Sequence, residues 1–452
     1  DIFIDVTGGA SAGSITAVAG TDSFNDININ VSDRVDEVDA TAGGDIDIDA
    51  SDAGTITADA GSRVDIDAGS GGIEVVVATA GEDVDIDSAG DVGSVDATAS
   101  DNIFIDVTDG ASAGSITAVA DDNININVSD SVDEVDATAG GYIDIDASDA
   151  GTITAEAGGY IDIDASDAGT ITADAGGYVD IDAGSGGIEV VVATAGTDVY
   201  IDSAGDVGSV DATASDDIFI SALSADTIDA TAGDDIYIFA SDAGTITADA
   251  GGYVGIAVGT VDVVDATGGG AVIVGVSDAG SVTVEAEGYA GIIGFADGDI
   301  DIVDVTGEDV FVLNVGGDLG SVTATASDGS VIILATDGSI GDVTATAGGE
   351  GLFIGDGPSI IGDGFFICDS PSIIIGASDN IGQVSAIALD DVVIVAGENI
   401  AGVDAFSSDG SVSVSSFGGN IGNVTATVAD GEDVSVAAPG GTIGDVDVSI
   451  RN

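Results

Sequence analysis

Apolar and polar residues alternate along this chain in short runs, and the runs recur. Residues 141–158 read GYIDIDASDAGTITAEAG and residues 159–176 read GYIDIDASDAGTITADAG, differing only at Glu156 and Asp174. Within the unit, Ile143, Ile145 and Ala147 alternate with Asp144 and Asp146, then Ile153, Ala155 and Ala157 alternate with Thr154 and Glu156. A period of two is the signature of a strand with one face inward, so the Ile/Ala set faces a core and the Asp/Thr set faces out. Between the runs lie SDAG and AGG, where Gly, Asp and Ser supply turn chemistry. Nothing reads as a helix, because the runs are short and glycine punctuates them.

The repeat extends from one end of the chain to the other. Ile2 to Val18 returns nearly intact from Ile103 to Val119, and GTIGDVDVSI (441–450) still fits the pattern. Some units lengthen to about 20 residues by enlarging a turn, as in GDVGSVDATAS (205–215). Two short strands cannot bury a face alone, but stacked copies can. The predicted fold is therefore all-β: a parallel β-solenoid with 18–20-residue coils, two main strands per coil. Coils sit about 4.8 Å apart in such a stack. Small inward Ala beside Ile and Val predicts a thin, flat coil. Four stretches differ in character: a regular acidic solenoid over 1–236, solenoid with apolar outward positions over 237–348, an irregular Pro-containing segment over 349–380, and terminal coils over 381–452. Asp1 opens within a repeat, as in a processed chain or a fragment. Asp1–Val6 and Gly441–Ile450 both read as ordinary strand, not caps. Bare strand edges template further pairing, so the expectation is end-to-end stacking into a filament, or continuation into further sequence.

Composition narrows the function. The 452 residues carry 84 Asp plus Glu against 3 Lys plus Arg, for a formal net charge of −81, with no His, Met or Trp and one Cys. Such a chain cannot neutralise phosphates, so nucleic acid is excluded as a partner. Anionic membrane surfaces repel it, and no run of about 18 apolar residues predicts membrane insertion. Zinc, haem, iron–sulfur and disulfide frameworks lack ligands. A mean hydropathy of +0.43 with 44% hydrophobic residues separates it from disordered polyanions.

Stacking would place equivalent acids in outward rows. One row holds Asp47, Asp65 and Asp85, then Asp144, Asp162 and Asp180; the next holds Asp49, Asp67 and Asp87, then Asp146, Asp164 and Asp182. Unit charges 4.8 Å apart repel by about 0.9 kcal/mol even at the dielectric of water. With no lysine to relieve it, cations are the expected counterions. Calcium and other hard cations take six to eight oxygens, so these twelve aspartates are the candidate metal residues. The competing reading is a solvated acidic face in high salt, as in a halophilic or marine surface protein.

The eighteen-residue period with Gly/Asp turns resembles the β-roll of RTX proteins, although the GGxGxDxUx calcium motif of that family is not present. The whole chain is more similar to the β-solenoid stalks of bacterial and archaeal surface adhesins and S-layer-like proteins. That resemblance implies an extracellular or cell-surface location and a structural role.

Departures from the repeat carry further expectations. From about residue 237 the outward positions of the first strand become apolar, at Tyr237, Phe239, Ile273, Phe311, Leu313, Ile332, Val393 and Val395. An apolar strip on a soluble rod calls for cover, so these eight are the candidate interface with a neighbouring subunit or packed segment. The alternative is that the coil changes shape and they turn inward. Pro358, Pro371 and Cys368 lie in the irregular segment, the thiol reading as buried and inert or as an intermolecular disulfide. Tyr142, Tyr160 and Tyr178 should stack as a ladder. Such a row reads as structural, with sugar binding as the alternative, and Asn30, Asn127 and Asn423 lie in N-x-S/T sequons that matter where exported proteins are glycosylated, so glycans are a candidate partner class beside the chain itself.

Catalysis is not expected. Two carboxylates suffice for glycoside hydrolysis, but a regular rod gives every acid nearly the same environment, whereas catalytic pairs need unlike ones. The arginines are read as remote from such a pair. The expected function is an extracellular structural protein: a filament, surface layer or adhesin stalk built from an acidic, cation-dependent solenoid. The alternative is a calcium- or ice-binding module of a larger adhesin. Thr55/Thr57, Thr152/Thr154, Thr170/Thr172 and Thr245/Thr247 form outward pairs suited to ice, but VDAT and IEVVVAT units interrupt them.

Overall fold

The computed structural model describes residues 1–295, 298–348, 371–430 and 433–451. Every regular element among them is a β-strand, and no helix is long and apolar enough to cross a membrane. The fold is the expected parallel β-solenoid, with about 22 turns of about 19 residues. It divides into two compact units, Asp1–Ser224 and Ala225–Asn452.

In the first unit the two near-identical coils show why this sequence folds as it does. Ile143–Ala157 pairs in parallel with Ile161–Ala175, like residue on like: Ile143 on Ile161, Asp144 on Asp162, Ile145 on Ile163, Asp146 on Asp164. The alternation decides which side each residue takes. Ile161, Ile163, Ala165, Ala168, Ile171, Ala173 and Ala175 are buried, and the residues between them are exposed or half-buried. The inward sets of both arms are buried, Ile161, Ile163 and Ala165 on one and Ile171, Ala173 and Ala175 on the other.

Pairing continues through SDAG, which the sequence reading treated as a turn. Asp149 pairs with Asp167 and Ala150 with Ala168, so the chain bends there without leaving the ladder. Only the AGG bend interrupts the strand. There the backbone of adjacent coils approaches too closely for a side chain: a Cβ on Gly176 would run into the carbonyl oxygen of Gly158. We expect Gly176→Ala to destabilise the first unit by about 2 kcal/mol or more. Thermal melts and hydrogen exchange of the flanking amides check this.

In the second unit the coils loosen from Tyr289 onward, where separate strands such as Tyr289–Gly294 and Ile300–Gly307 replace the long continuous ones. The coil before residue 349 pairs directly with the coil after residue 370: Val331 sits on Ile373 and Val343 on Val384. Pro371 is the first residue of a regular strand, Pro371–Ala377, a position where the missing amide is tolerated. Residues 371–380 of the expected irregular segment are thus ordinary coil, whereas Pro358 and Cys368 lie outside the described residues.

Candidate functional site: an acidic grid and an apolar strip

Both aspartate rows exist, and one is longer than the sequence reading had it. The outer row runs Asp5, Asn30, Asp49, Asp67, Asp87, Asp106, Asn127, Asp146, Asp164, Asp182, Asp202, each residue on its partner in the next coil. It is unbroken, polar throughout and acidic at all but Asn30 and Asn127. The inner row is split: Asp47, Asp65 and Asp85 are followed by Phe104 and Asn125 before Asp144, Asp162 and Asp180, and Tyr200 closes it.

Stacking acids at this spacing disfavours their charge. Burial, then the neighbouring Asp180, Asp144, Asp164 and Asp182, push Asp162 up to about 6. Burial, with neighbouring carboxylates adding to it, also raises Asp47, Asp65, Asp87, Asp144, Asp164 and Asp180. Asp106 Oδ1 is buried with no hydrogen-bond partner. Among the described residues, no three acids converge as a compact metal-ligand group; the carboxylates form rows instead.

Two arginines stand on this acidic surface, where the sequence reading had them remote. Arg63 bonds Asp85 at 2.6 Å and Asp65 at 3.2 Å, at the head of the inner row. Arg34 grips Asp52 through both carboxylate oxygens at 2.9 and 3.1 Å, and reaches Asp36 and Glu74 at 3.2 Å each. Asn28 adds neutral relief by donating to Asp47 at 2.9 Å. The first block is thus partly compensated from within the chain. The block around Asp162 has no arginine.

Many other acids have a structural task that the sequence reading missed. At the bends, a side-chain oxygen accepts the backbone amide of the next coil. Asp45 accepts from Arg63 at 3.2 Å, Asp83 from Asn102 at 3.1 Å and Asn123 from Tyr142 at 3.0 Å. The second unit repeats the device at Asp299–Asp318 and Asp318–Ser339, both at 2.7 Å. These ladders satisfy amides where the strand lapses. The signal was present as an acid or Asn one residue before each strand. In three successive coils tyrosine takes that position, and the rings of Tyr142, Tyr160 and Tyr178 stack 5.0 Å apart and within 3° of parallel.

The eight apolar candidates of the second unit all occupy outward positions. Seven are half-buried and Phe239 is 42% exposed, so the alternative that they turn inward is overturned. They form two rows. One runs Tyr237, Gly255, Ile273, Gly291, Phe311, Ile332, Ile374, Val393; the other runs Phe239, Ala257, Gly275, Ile293, Leu313, Leu334, Gly376, Val395. The glycines are filled from the side: Tyr253 lies against Gly255, Tyr289 against Gly291 and Phe295 against Gly275. Both rows end in serine, at Ser413 and Ser415.

The remaining candidates are placed as follows. Asn30 and Asn127 stand mid-strand in the outer acidic row and not on surface loops, while Asn423 is exposed and accepts the amide of Asp445. The threonine pairs do face out, but Thr170 and Thr172 are followed by Val190 and Val192 and then by Ser209 and Asp211. No uniform hydroxyl array results.

The class these features define is an acidic parallel β-solenoid with a carboxylate grid on one unit and an apolar strip on the other. Compared with known protein families, with characterised proteins and with solved structures, the chain matches none.

Proposed function

We propose that this chain is a structural protein of an extracellular or cell-surface assembly, in which cations neutralise the acidic grid and copies associate through the apolar strip. The observation that carries this reading is the pairing of two faces with opposite needs. The outer row is polar over eleven coils and acidic at nine of them with hardly any cation of its own, and the strip of the second unit presents two rows of apolar residues outward. A grid that needs counterions and a strip that needs cover suit a protein that works as many copies in a cation-rich medium. An enzymatic role has no comparable support, since the acids repeat without a distinct pair.

The test is sedimentation and electron microscopy of the purified chain with calcium or with chelator. We expect filaments or layers with calcium, and dispersal on chelation. Phe311→Asp with Leu313→Asp should abolish assembly while leaving the β-sheet circular dichroism intact, because both side chains point outward. A monodisperse monomer at every calcium and protein concentration would overturn the reading. A second reading, a calcium-binding module that does not self-associate, is favoured by the unpartnered Asp106 oxygen. In that case calcium would raise the melting temperature of single rods without assembly.

A further inference from the structure

The first unit contains its own control experiment. Residues 27–44 read ININVSDRVDEVDATAGG and residues 124–141 read ININVSDSVDEVDATAGG, so the sister repeats differ only at Arg34 and Ser131. In the first repeat, Arg34 stacks on Asp52 and is held by Asp36, Asp52 and Glu74. Those hydrogen bonds, Asp36 first, raise its affinity for the proton. In the second repeat Asp36 and Asp52 are retained as Asp133 and Asp149, whereas Gly169 stands in the place of Glu74 and the matching Glu189 lies one coil further on. An additional coil has been inserted between Asp149 and Glu189, and it contributes one more acid, Asp167, stacked directly on Asp149. The cation is absent, while three acids still line the position, Asp167 being the third.

What remains is an open groove of about 310 Å³ lined by Ser131, Asp133, Asp149, Gly151 and Asp167, with Val132 and Ala150 as its floor. Ser131 does not fill it, since its hydroxyl is turned to Ser112 at 3.1 Å. Among the described residues, no side-chain hydrogen bond or ion pair engages the carboxylates of Asp133, Asp149 or Asp167. The other arginine position shows that this retention is not automatic. Where Arg63 meets Asp65 and Asp85, the second block has Tyr178, Asp180 and Tyr200, so the cation and one of its acids were lost together. At Ser131 the cation is absent while three acids remain.

We infer that the groove over Gly151 binds a guanidinium group supplied from outside the chain, an arginine side chain of a partner polypeptide, in the place that Arg34 fills internally in the sister repeat. The geometry selects that chemistry. The acids lie in rungs about 4.8 Å apart, and among the described residues no three of them converge as a metal would require. A planar guanidinium can bridge such rungs, as Arg34 does with Nε on Asp36, Nη1 on Asp52 and Nη2 on Glu74. An ammonium ion presents one nitrogen and cannot set three separate nitrogens on three acids. The inference does not depend on self-assembly.

The experiment uses the full chain and N-acetylarginine amide as probe. Sodium chloride at about 0.5 M screens diffuse attraction to the acidic surface. Binding is followed by NMR at the amides of Gly151 and Gly169, the methyl of Ala150, and the amide of Gly54 as internal reference. Saturable shifts are expected at Gly151, Gly169 and Ala150, with Gly54 silent and N-acetyllysine amide at least tenfold weaker. Ser131→Arg should fill the groove and remove the response. Arg34→Ser should open the sister site, so that Gly54 begins to respond. Asp149→Asn with Asp167→Asn should also remove the response and serves if Ser131→Arg misfolds. Shifts that persist in Ser131→Arg, that spread evenly over all acidic rows, or that the lysine amide matches would overturn the proposal. A free guanidinium ion giving the same saturation as the blocked amide would assign the site to the small ion and overturn the partner arginine.

Discussion

Ile163→Asp will unfold the coils around it at neutral pH, whereas Asp162→Asn, one residue away, will stabilise them. Ile163 is 0% exposed and lies between Ile145 and Ile181 of the adjoining coils. Replacing it forfeits the burial of an isoleucine, about 2–3 kcal/mol, and places a carboxylate in an apolar layer with no partner. The sum exceeds about 5 kcal/mol. In a stack where each coil touches only its neighbours, such a loss is not shared across a large core, so the damage should be local. Proteolysis should then cut between residues 143 and 195, and hydrogen exchange should accelerate there first. Asp162 points the other way and is one of five acids crowded on the grid. Removing its charge should add about 1–2 kcal/mol after allowance for solvent screening. If both variants shifted stability in the same direction, the assignment of inward and outward faces would be wrong.

That contrast was legible in the sequence because a period of two leaves only one choice. Once Ile161, Ile163 and Ala165 go inward, Asp162 and Asp164 must go outward, and near-identity of successive units decides which residue stacks on which. The outward places of Phe104 and Asn125 were legible as well, but that they stand between Asp85 and Asp144 and split the inner acidic row needs the register of imperfect repeats. Arg34 contacts Glu74, 40 residues away, because it reaches across the intervening coil to the second one on. No local motif announces such a contact. The amide-accepting role of Asp45 and Asp83 was hidden for a different reason. In a chain with 84 acids, an aspartate before a strand looks like surface charge until its hydrogen bond is seen.

Stability of the first unit should rise as the pH falls from 8 toward 4.5 in a buffer of low ionic strength without divalent cations. For Asp162 the folded value of about 6 lies above the ordinary aspartate value. Between about pH 4 and pH 6 the folded state therefore holds a proton that the unfolded state has released, and stability must fall as pH rises through that window. Asp47, Asp65, Asp87, Asp144, Asp164 and Asp180 are shifted in the same direction, so the trend belongs to the grid and not to one residue. It is opposite to ordinary acid denaturation, in which paired carboxylates lose their partners on protonation. A rise in melting temperature of about 5 °C or more is expected from a few kcal/mol spread over a unit of this size. Salt should flatten the profile by screening, and Asp162→Asn should reduce its slope. Calcium separates the two explanations of the grid. If the rows bind it, micromolar to millimolar calcium at constant ionic strength will raise stability at pH 8 and leave pH 4.5 unchanged, because protonated carboxyls are poor ligands. If cations only screen, sodium at equal ionic strength will do the same, and the rows are then a solvated surface whose repulsion the surrounding medium relieves.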